Sequence, residues 1–415
     1  MTETVQDSAL YTVPVSYNPF APGFTDDPYP HYAKLRRTNP VERNELGFWA
    51  LWRHKDVHEV LRARLSVQDD KVLHVGPMAN VYDDIRAEKG MPPGGVTSML
   101  DRDPPDHTRL RKLVSQAFTP RTIDQLAPLV ERLVDEALDR IAEAGSVDLI
   151  DALAFPLPFI VISTMLGMPE TDSTRLRELS HTVVKSLEPV PDEATVRAIV
   201  DADIELVRLA TDAIEWKRAN PADDLLTALI NAEDAGDVLS TEELVAQVIL
   251  LYVAGHETTV NLIGNGTLAL LRNPDQLALW RDRPDLDDNA VEELLRFDPP
   301  VQMSRRVTID DYPVGDHVIP AGSFVIACLA SANRDEDQYG EDAQELRLDR
   351  ENARQQMAFG AGVHHCLGAA LARLEGRVAM SRLIRRFPDL RLDGEPEWNG
   401  RINLRGLARL PLAVG

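Results

Sequence analysis

The sequence predicts a mainly α protein with a small β-rich lobe, and three observations carry that expectation. Long segments rich in alanine, leucine, glutamate and arginine repeat their apolar residues at the period of an α-helix. Strand-like runs are short and fall in two groups, near the front and in the last quarter. Neither an internal repeat nor a low-complexity linker interrupts the 415 residues, so one domain, 1–415, is expected.

From the front, Pro40 to Glu45 and Phe48 to Arg53 read as strands. Ser66 to Leu100 carries Gly76-Pro77, Gly90 and Pro92-Pro93-Gly94-Gly95, which is loop chemistry. Asp103 followed by proline is a helix start, and it places His107 and Arg111 one turn apart on one face. Two prolines between Leu187 and Asp192 separate two helical patterns. The longest helix is expected from Ser240, with Glu243 completing a capping box, through Leu271, where Asn273-Pro274 stops it. Such a helix is about 45 Å long and can cross a whole domain. Its centre, Val248 to Val253, is apolar around most of its circumference and should be buried. A helix from about Asp287 to Phe297, strands within Val307 to Ala330, and the aperiodic stretch Leu346 to Gly362 follow. A helix then opens at Gly368, and Leu390 to Val414 reads as strands and loops.

The 67 acidic and 44 basic residues leave a formal charge of −23, which argues against nucleic acid as a partner. No apolar run reaches membrane-spanning length, and Met1 to Tyr17 lacks a basic segment followed by an apolar one. A soluble, cytoplasmic protein without membrane anchor is therefore expected. Of the two cysteines, Cys328 lies in the apolar run Phe324 to Leu329 and reads as a small hydrophobe in a buried strand. A disulfide to Cys366 is not expected in a reducing cytoplasm. Structural zinc would need about four ligands, and no second C-x-x-C or H-x-x-x-H lies near Cys366.

Cys366 sits in Phe359-Gly360-Ala361-Gly362-Val363-His364-His365-Cys366-Leu367-Gly368, just ahead of a helix. The glycines permit a tight turn and close approach to a flat macrocycle. The nascent helix points N–H groups toward the sulfur, which favours thiolate over thiol. In the middle of the long helix, Ala254-Gly255-His256-Glu257-Thr258-Thr259 places a glycine, a carboxylate and two hydroxyls where burial makes them costly. Gly255 offers room for a flat ligand, and Thr258 can bond a carbonyl one turn back and open a niche for water. A polar kink satisfied by neighbouring helices is the competing reading. Glu293-Leu294-Leu295-Arg296 is an i,i+3 acid–base pair, worth about 0.2–0.5 kcal/mol on a solvated surface. His107 and Arg111 can bind carboxylates by charge-assisted hydrogen bonds, or else form a basic surface turn.

These elements stand in the order and separation found in cytochromes P450, and the sequence resembles the soluble bacterial members over nearly its whole length. The resemblance implies the P450 fold, a triangular prism with haem between the long central helix and the cysteine-loop helix. It implies haem b (iron protoporphyrin IX) with the Cys366 thiolate as axial ligand, donating electron density that promotes O–O cleavage. The cofactor-binding set it implies is His107, Arg111, Ala254, Gly255, Arg306, Phe359, Gly360, Gly362, His364 and Gly368, with Arg305 ranked behind Arg306. Glu257 and Thr258 match A-G-x-[DE]-T and would organise dioxygen binding and proton relay. Thr259 and His256 lie outside that pattern, and His256 is expected as a packed or solvent-linked side chain. Glu293 and Arg296, as the ExxR motif, would brace the loop before the cysteine. Glu345 stands where the family often adds an arginine, leaving Arg347 and Arg350 as alternatives. Ala332-Asn333-Arg334-Asp335 also fits the family.

The implied function is a monooxygenase inserting one atom of dioxygen into a lipophilic small molecule of terpenoid, steroid, polyketide or fatty-acid type. Its pocket would draw on Met78, Val81, Met91, Val96, Val253, Val301 and Met303. Electrons would come from ferredoxin and ferredoxin reductase, because the chain carries no flavin, nucleotide or iron–sulfur motif. Arg102, Arg109, Arg111, Lys112 and Arg121 would concentrate positive charge for an acidic ferredoxin. A monomer is expected. The rival readings are a peroxide-using, coupling or dehydrating haem-thiolate enzyme, and a non-catalytic haem sensor or carrier. The Glu257–Thr258 pair favours oxygen activation over both.

Overall fold

The computed structural model describes residues 15–68, 78–91, 97–115, 118–169, 173–189, 192–234 and 237–415. Its axis is the helix Thr241–Arg272, which runs 32 residues and ends at Asn273, as the stop signal predicts. The Ser240 hydroxyl accepts the Glu243 N–H and the Glu243 carboxylate accepts the Ser240 N–H, so the capping box is formed. Leu244, Val248, Leu251, Leu262, Ile263 and Leu270 anchor this helix in the main core. The helices Pro156–Leu166, Glu193–Ala219, Asp287–Phe297 and Ala369–Arg386 pack around it. Among the described residues, no helix is long and apolar enough to cross a membrane.

The β-rich part is built where the short runs lie. A four-stranded sheet has the order Val41–Arg43, Trp49–Leu51, Phe324–Cys328, Met303–Val307. Trp49–Leu51 runs parallel to Phe324–Cys328, with Trp49 opposite Val325, and the other neighbours are antiparallel. Cys328 is fully buried in that sheet, and burial pushes its thiol up to about 12, the behaviour of an inert small hydrophobe. Ser146–Asp148, Arg391–Leu392 and Pro411–Ala413 form a second sheet.

Two expectations need correction. The segment read as loop from Ser66 to Leu100 contains the helix Ala79–Glu88. Its Tyr82 and Ile85 are buried against Val196, Ile199 and Val200 of Glu193–Ala219. Tertiary burial of that face, rather than local propensity, stabilises so short a helix. The helix after Asp103 begins at Asp106, because the Asp103 carboxylate is engaged by the Ser66 hydroxyl and the Val67 N–H (2.8 Å) instead of capping it.

Glu293 and Arg296 are fully buried on Asp287–Phe297. The guanidinium grips the carboxylate bidentately, Nε to Oε2 at 2.6 Å and Nη2 to Oε1 at 2.7 Å. Its remaining donors reach the carbonyls of Asn333, Ala343 and Glu345, each at 2.8 Å. Arg350 is the arginine that joins them: it is buried and donates to Glu293 Oε1 (3.2 Å) and Asp342 Oδ1 (2.9 Å). Arg347 contributes only its backbone N–H to Glu293 (2.9 Å), while its exposed side chain pairs with Asp342. Glu345 therefore lends a carbonyl where the family often has a cation. Asn333 extends the brace by accepting the Met357 N–H (2.7 Å) on the approach to the cysteine.

Removing Glu293 leaves two buried guanidinium groups without their shared counter-charge. Glu293→Ala should cost on the order of 3–5 kcal/mol, read as a strongly lowered urea midpoint by circular dichroism. Arg347→Ala should stay within about 0.5 kcal/mol of the parent. Equal losses in the two variants would mean that the brace does not distinguish these arginines.

Candidate active site

The cysteine loop is bent by its glycines and closed by backbone hydrogen bonds. Gly360 and Gly362 have φ of +68° and +73°, the left-handed region. A Cβ on Gly362 would lie 2.5 Å from Leu61 O, so the loop is pressed onto the end of the helix His54–Arg62. The Gly360 N–H donates to Met357 O (2.8 Å) and the Cys366 N–H to Phe359 O (2.9 Å). The Arg373 guanidinium lies 4.5 Å from the centre of the Phe359 ring and is tied to Glu292 (2.7 Å). Gly368 precedes the first turn of Ala369–Arg386.

Cys366 is open to solvent on one side while the loop crowds its sulfur on the other. Burial raises the thiol above its ordinary value, and the Gly368 N–H, Arg111 and Arg373 oppose that shift without overcoming it. Ionisation falls to the cation that the sulfur binds, since metal binding releases the ligand's proton.

Beside the thiol lies a cluster of bases. The His107 and His364 rings are 4.2 Å apart, and Arg111 donates to His365 O at 2.7 Å. Arg306 is buried, and its guanidinium donates to the Ser304 hydroxyl (2.8 Å) and Arg305 O (2.7 Å). Burial pulls Arg306 down to about 10. Burial, then the charges of His107, Arg306 and Arg111, push His364 down to about 3. His107 Nδ1 is buried with no hydrogen-bond partner. Among the described residues none of the four bases forms an ion pair. Asp103 is the acid that acts on His107 and Arg306, and it is itself held by Ser66 and Val67; the cluster is rich in donors and fits a ligand with carboxylates.

The central helix is buried except along one strip, where Ala254 is exposed and Val253 and Thr258 are half-buried. Thr258 Oγ1 donates to Ala254 O (2.9 Å), the back-bond the sequence predicts. A Cβ on Gly255 would meet Ile162 at 3.4 Å, an ordinary van der Waals contact. His256 is fully buried, bonded through Nδ1 to Tyr252 O (2.9 Å) and flanked by the rings of Phe155 and Phe159.

Glu257 reaches partners that the sequence reading missed. Its carboxylate accepts from Arg401, and His181 Nε2 and His256 Nε2 lie 3.5 and 3.9 Å away. Burial alone would raise Glu257, but His181, Arg401 and His256 together hold it below the ordinary carboxylate value. A buried acid demands a cation, yet no local motif says that it comes from a loop 144 residues onward.

The expected pocket residues disperse. Met303 is buried, its sulfur accepting from the Tyr17 hydroxyl (3.5 Å) within an aromatic cluster. Met78 and Val81 pack with Tyr82 and Ile85 against Glu193–Ala219. Met91 is half-buried with its N–H on Arg86 O (2.8 Å), and Val301 bridges to Leu404. Val96 lies outside the described residues.

An accessible thiol, a cluster of two imidazoles and two guanidinium groups, and a strip of helix not packed by other side chains fit an iron porphyrin with two propionates. The cytochrome P450 family profile matches residues 85–279 and 280–403. Cytochrome P450 107B1 of Saccharopolyspora erythraea is 42% identical over 405 residues, covering 95% of this chain and 97% of the relative. The vitamin D(3) 25-hydroxylase of Pseudonocardia autotrophica is 42% identical over 406 residues, covering 95% and 96%. The solved structure of P450BioI in complex with acyl carrier protein ligated to hexadec-9Z-enoic acid superposes with a TM-score of 0.86 at 30% identity, covering 94% of this chain and 99% of that one. With fold, motif order and relatives in agreement, the chain belongs to the cytochrome P450 family of monooxygenases.

Proposed function

We propose that this monooxygenase holds haem b through Cys366 and oxidises a lipophilic small molecule with electrons from ferredoxin and ferredoxin reductase. The observation that carries the reading is the accessible Cys366 thiol beside the donor cluster His107, Arg111, Arg306 and His364. When bound, haem supplies oxygen binding and O–O cleavage, aided by electron donation from a thiolate. The remaining tasks belong to the chain. His107, Arg111, Arg306 and His364 would clamp the propionates and orient the group. The glycine loop, backed by the Glu293 brace, fixes the sulfur. Thr258 Oγ1, held at Ala254 O, can receive and pass on a proton, and Glu257 can replenish it. The apolar side chains around the strip limit water.

The lipophilic substrate class is supported by the relatives, one named for vitamin D(3) and one solved with a fatty-acyl carrier. A second surface joins the residues first expected as a place for the electron donor. Arg109 is neutralised by Asp237 and Glu243, Arg102 is bonded to Thr97, and Arg111 faces the cysteine loop. A groove of about 1050 Å³ against that loop is lined by His54, Lys55, His58, Arg62, Arg354 and His365, with Glu59 as its acid. Its basic rim suits an acidic ferredoxin.

The reduced, CO-bound protein should show a thiolate-type Soret band, and Cys366→His should convert it to an imidazole type. An imidazole-type band in the parent would remove Cys366 as the ligand. Lys55→Glu with Arg62→Glu should raise the KM for ferredoxin several-fold at low salt and flatten its salt dependence, while Arg121→Glu should change neither. Unaltered kinetics in the Lys55/Arg62 variant would place docking elsewhere.

A further inference from the structure

Glu257 is nearly sealed, its side chain 5% exposed, whereas His181 on the helix Ser173–Val183 has a side chain 47% exposed. The His181 Nε2 points its accessible ring at Glu257 Oε2 across 3.5 Å. Arg401 holds the other carboxylate oxygen and also donates to His181 O (3.4 Å), so it spans both groups. Arg401 is itself fixed. Its N–H donates to Asn399 Oδ1 (3.0 Å), and the next three amides, of Ile402, Asn403 and Leu404, converge on the Glu188 carboxylate at 2.8–3.0 Å. His256 is no alternative entrance, because it is fully buried with Nδ1 committed to Tyr252 O.

We propose that His181 and Arg401 form the solvent-side half of the proton supply to the reaction centre, both acting through Glu257. His181 takes a proton from bulk water at Nδ1 and releases the Nε2 proton to Glu257 Oε2. The ring returns to its resting tautomer by rotation or exchange, so no net charge accumulates and no oxidant is consumed. Arg401 is the positioning residue that keeps the carboxylate between His181 and the Thr258 side of the helix. The groups facing the imidazole are Arg177 on its own helix, Glu257 and His256 on the central helix, and Arg401 on the C-terminal loop. Burial and the cations hold the ring below the ordinary imidazole value against the pull of Glu257, so it does not store a proton. The inference rests on the monooxygenase reading above.

The test uses the haem-loaded enzyme with a plant-type ferredoxin, its reductase and vitamin D(3) as probe lipophile. His181→Gln should slow NADPH consumption about tenfold or more, enlarge the solvent deuterium isotope effect and erase the inflection that His181 gives the pH–rate profile. Arg401→Gln should slow consumption while leaving that inflection displaced but present. Both variants should keep the parent CO-bound band. Apart from turnover, Glu257→Gln should lower the NMR titration midpoint of the His181 ring in the reduced, CO-bound protein. An unmoved midpoint, or parent-like rate and isotope effect in His181→Gln, overturns the proposal. Loss of the thiolate-type band in the parent would instead sink the proposed function.

Discussion

One buried carboxylate organises the half of the molecule that presents the sulfur. Glu293 receives two guanidinium groups and a backbone N–H, and those partners in turn hold carbonyls from Asn333 to Glu345. Each interaction alone would be weak evidence for stability, since burying charge is expensive. Together they convert an aperiodic stretch, which has no regular ladder to satisfy its backbone, into a rigid support. The adjacent Glu292 repeats the logic by holding Arg373 and Gln356 (3.0 Å) around Phe359. The cysteine loop therefore needs no more regular structure of its own than the single 3-10 turn Gly362–His364.

The opposite wall obeys a different constraint. A helix that threads the core must hide its polar atoms, yet this one carries a carboxylate, an imidazole and two hydroxyls in a single turn. The hydroxyls are satisfied by carbonyls of their own helix, and the acid by side chains arriving from two distant elements. Only the Ala254 strip is left bare. A polar turn surrounded by compensating partners, with one uncovered side, is how a buried helix can present reactive groups without losing its packing.

Legibility followed sequence distance. The capping box at Ser240, the stop at Asn273-Pro274 and the Glu293–Arg296 pair are local, and the residues themselves state the contact. The helix Ala79–Glu88 was hidden because glycines and prolines around it dominate the segment, while its stability comes from a surface more than a hundred residues later. Arg350, Arg401 and His181 have no periodic signature, since each meets its acid through the tertiary fold. The charge of Arg109 read as free for want of any sign that Asp237 and Glu243 would claim it.

Glu188 has a mechanical consequence. By gathering three successive amides it ties the segment that follows Ser173–Val183 to the C-terminal loop. Because the same loop carries Arg401, any displacement of that segment is transmitted to the Glu257 carboxylate.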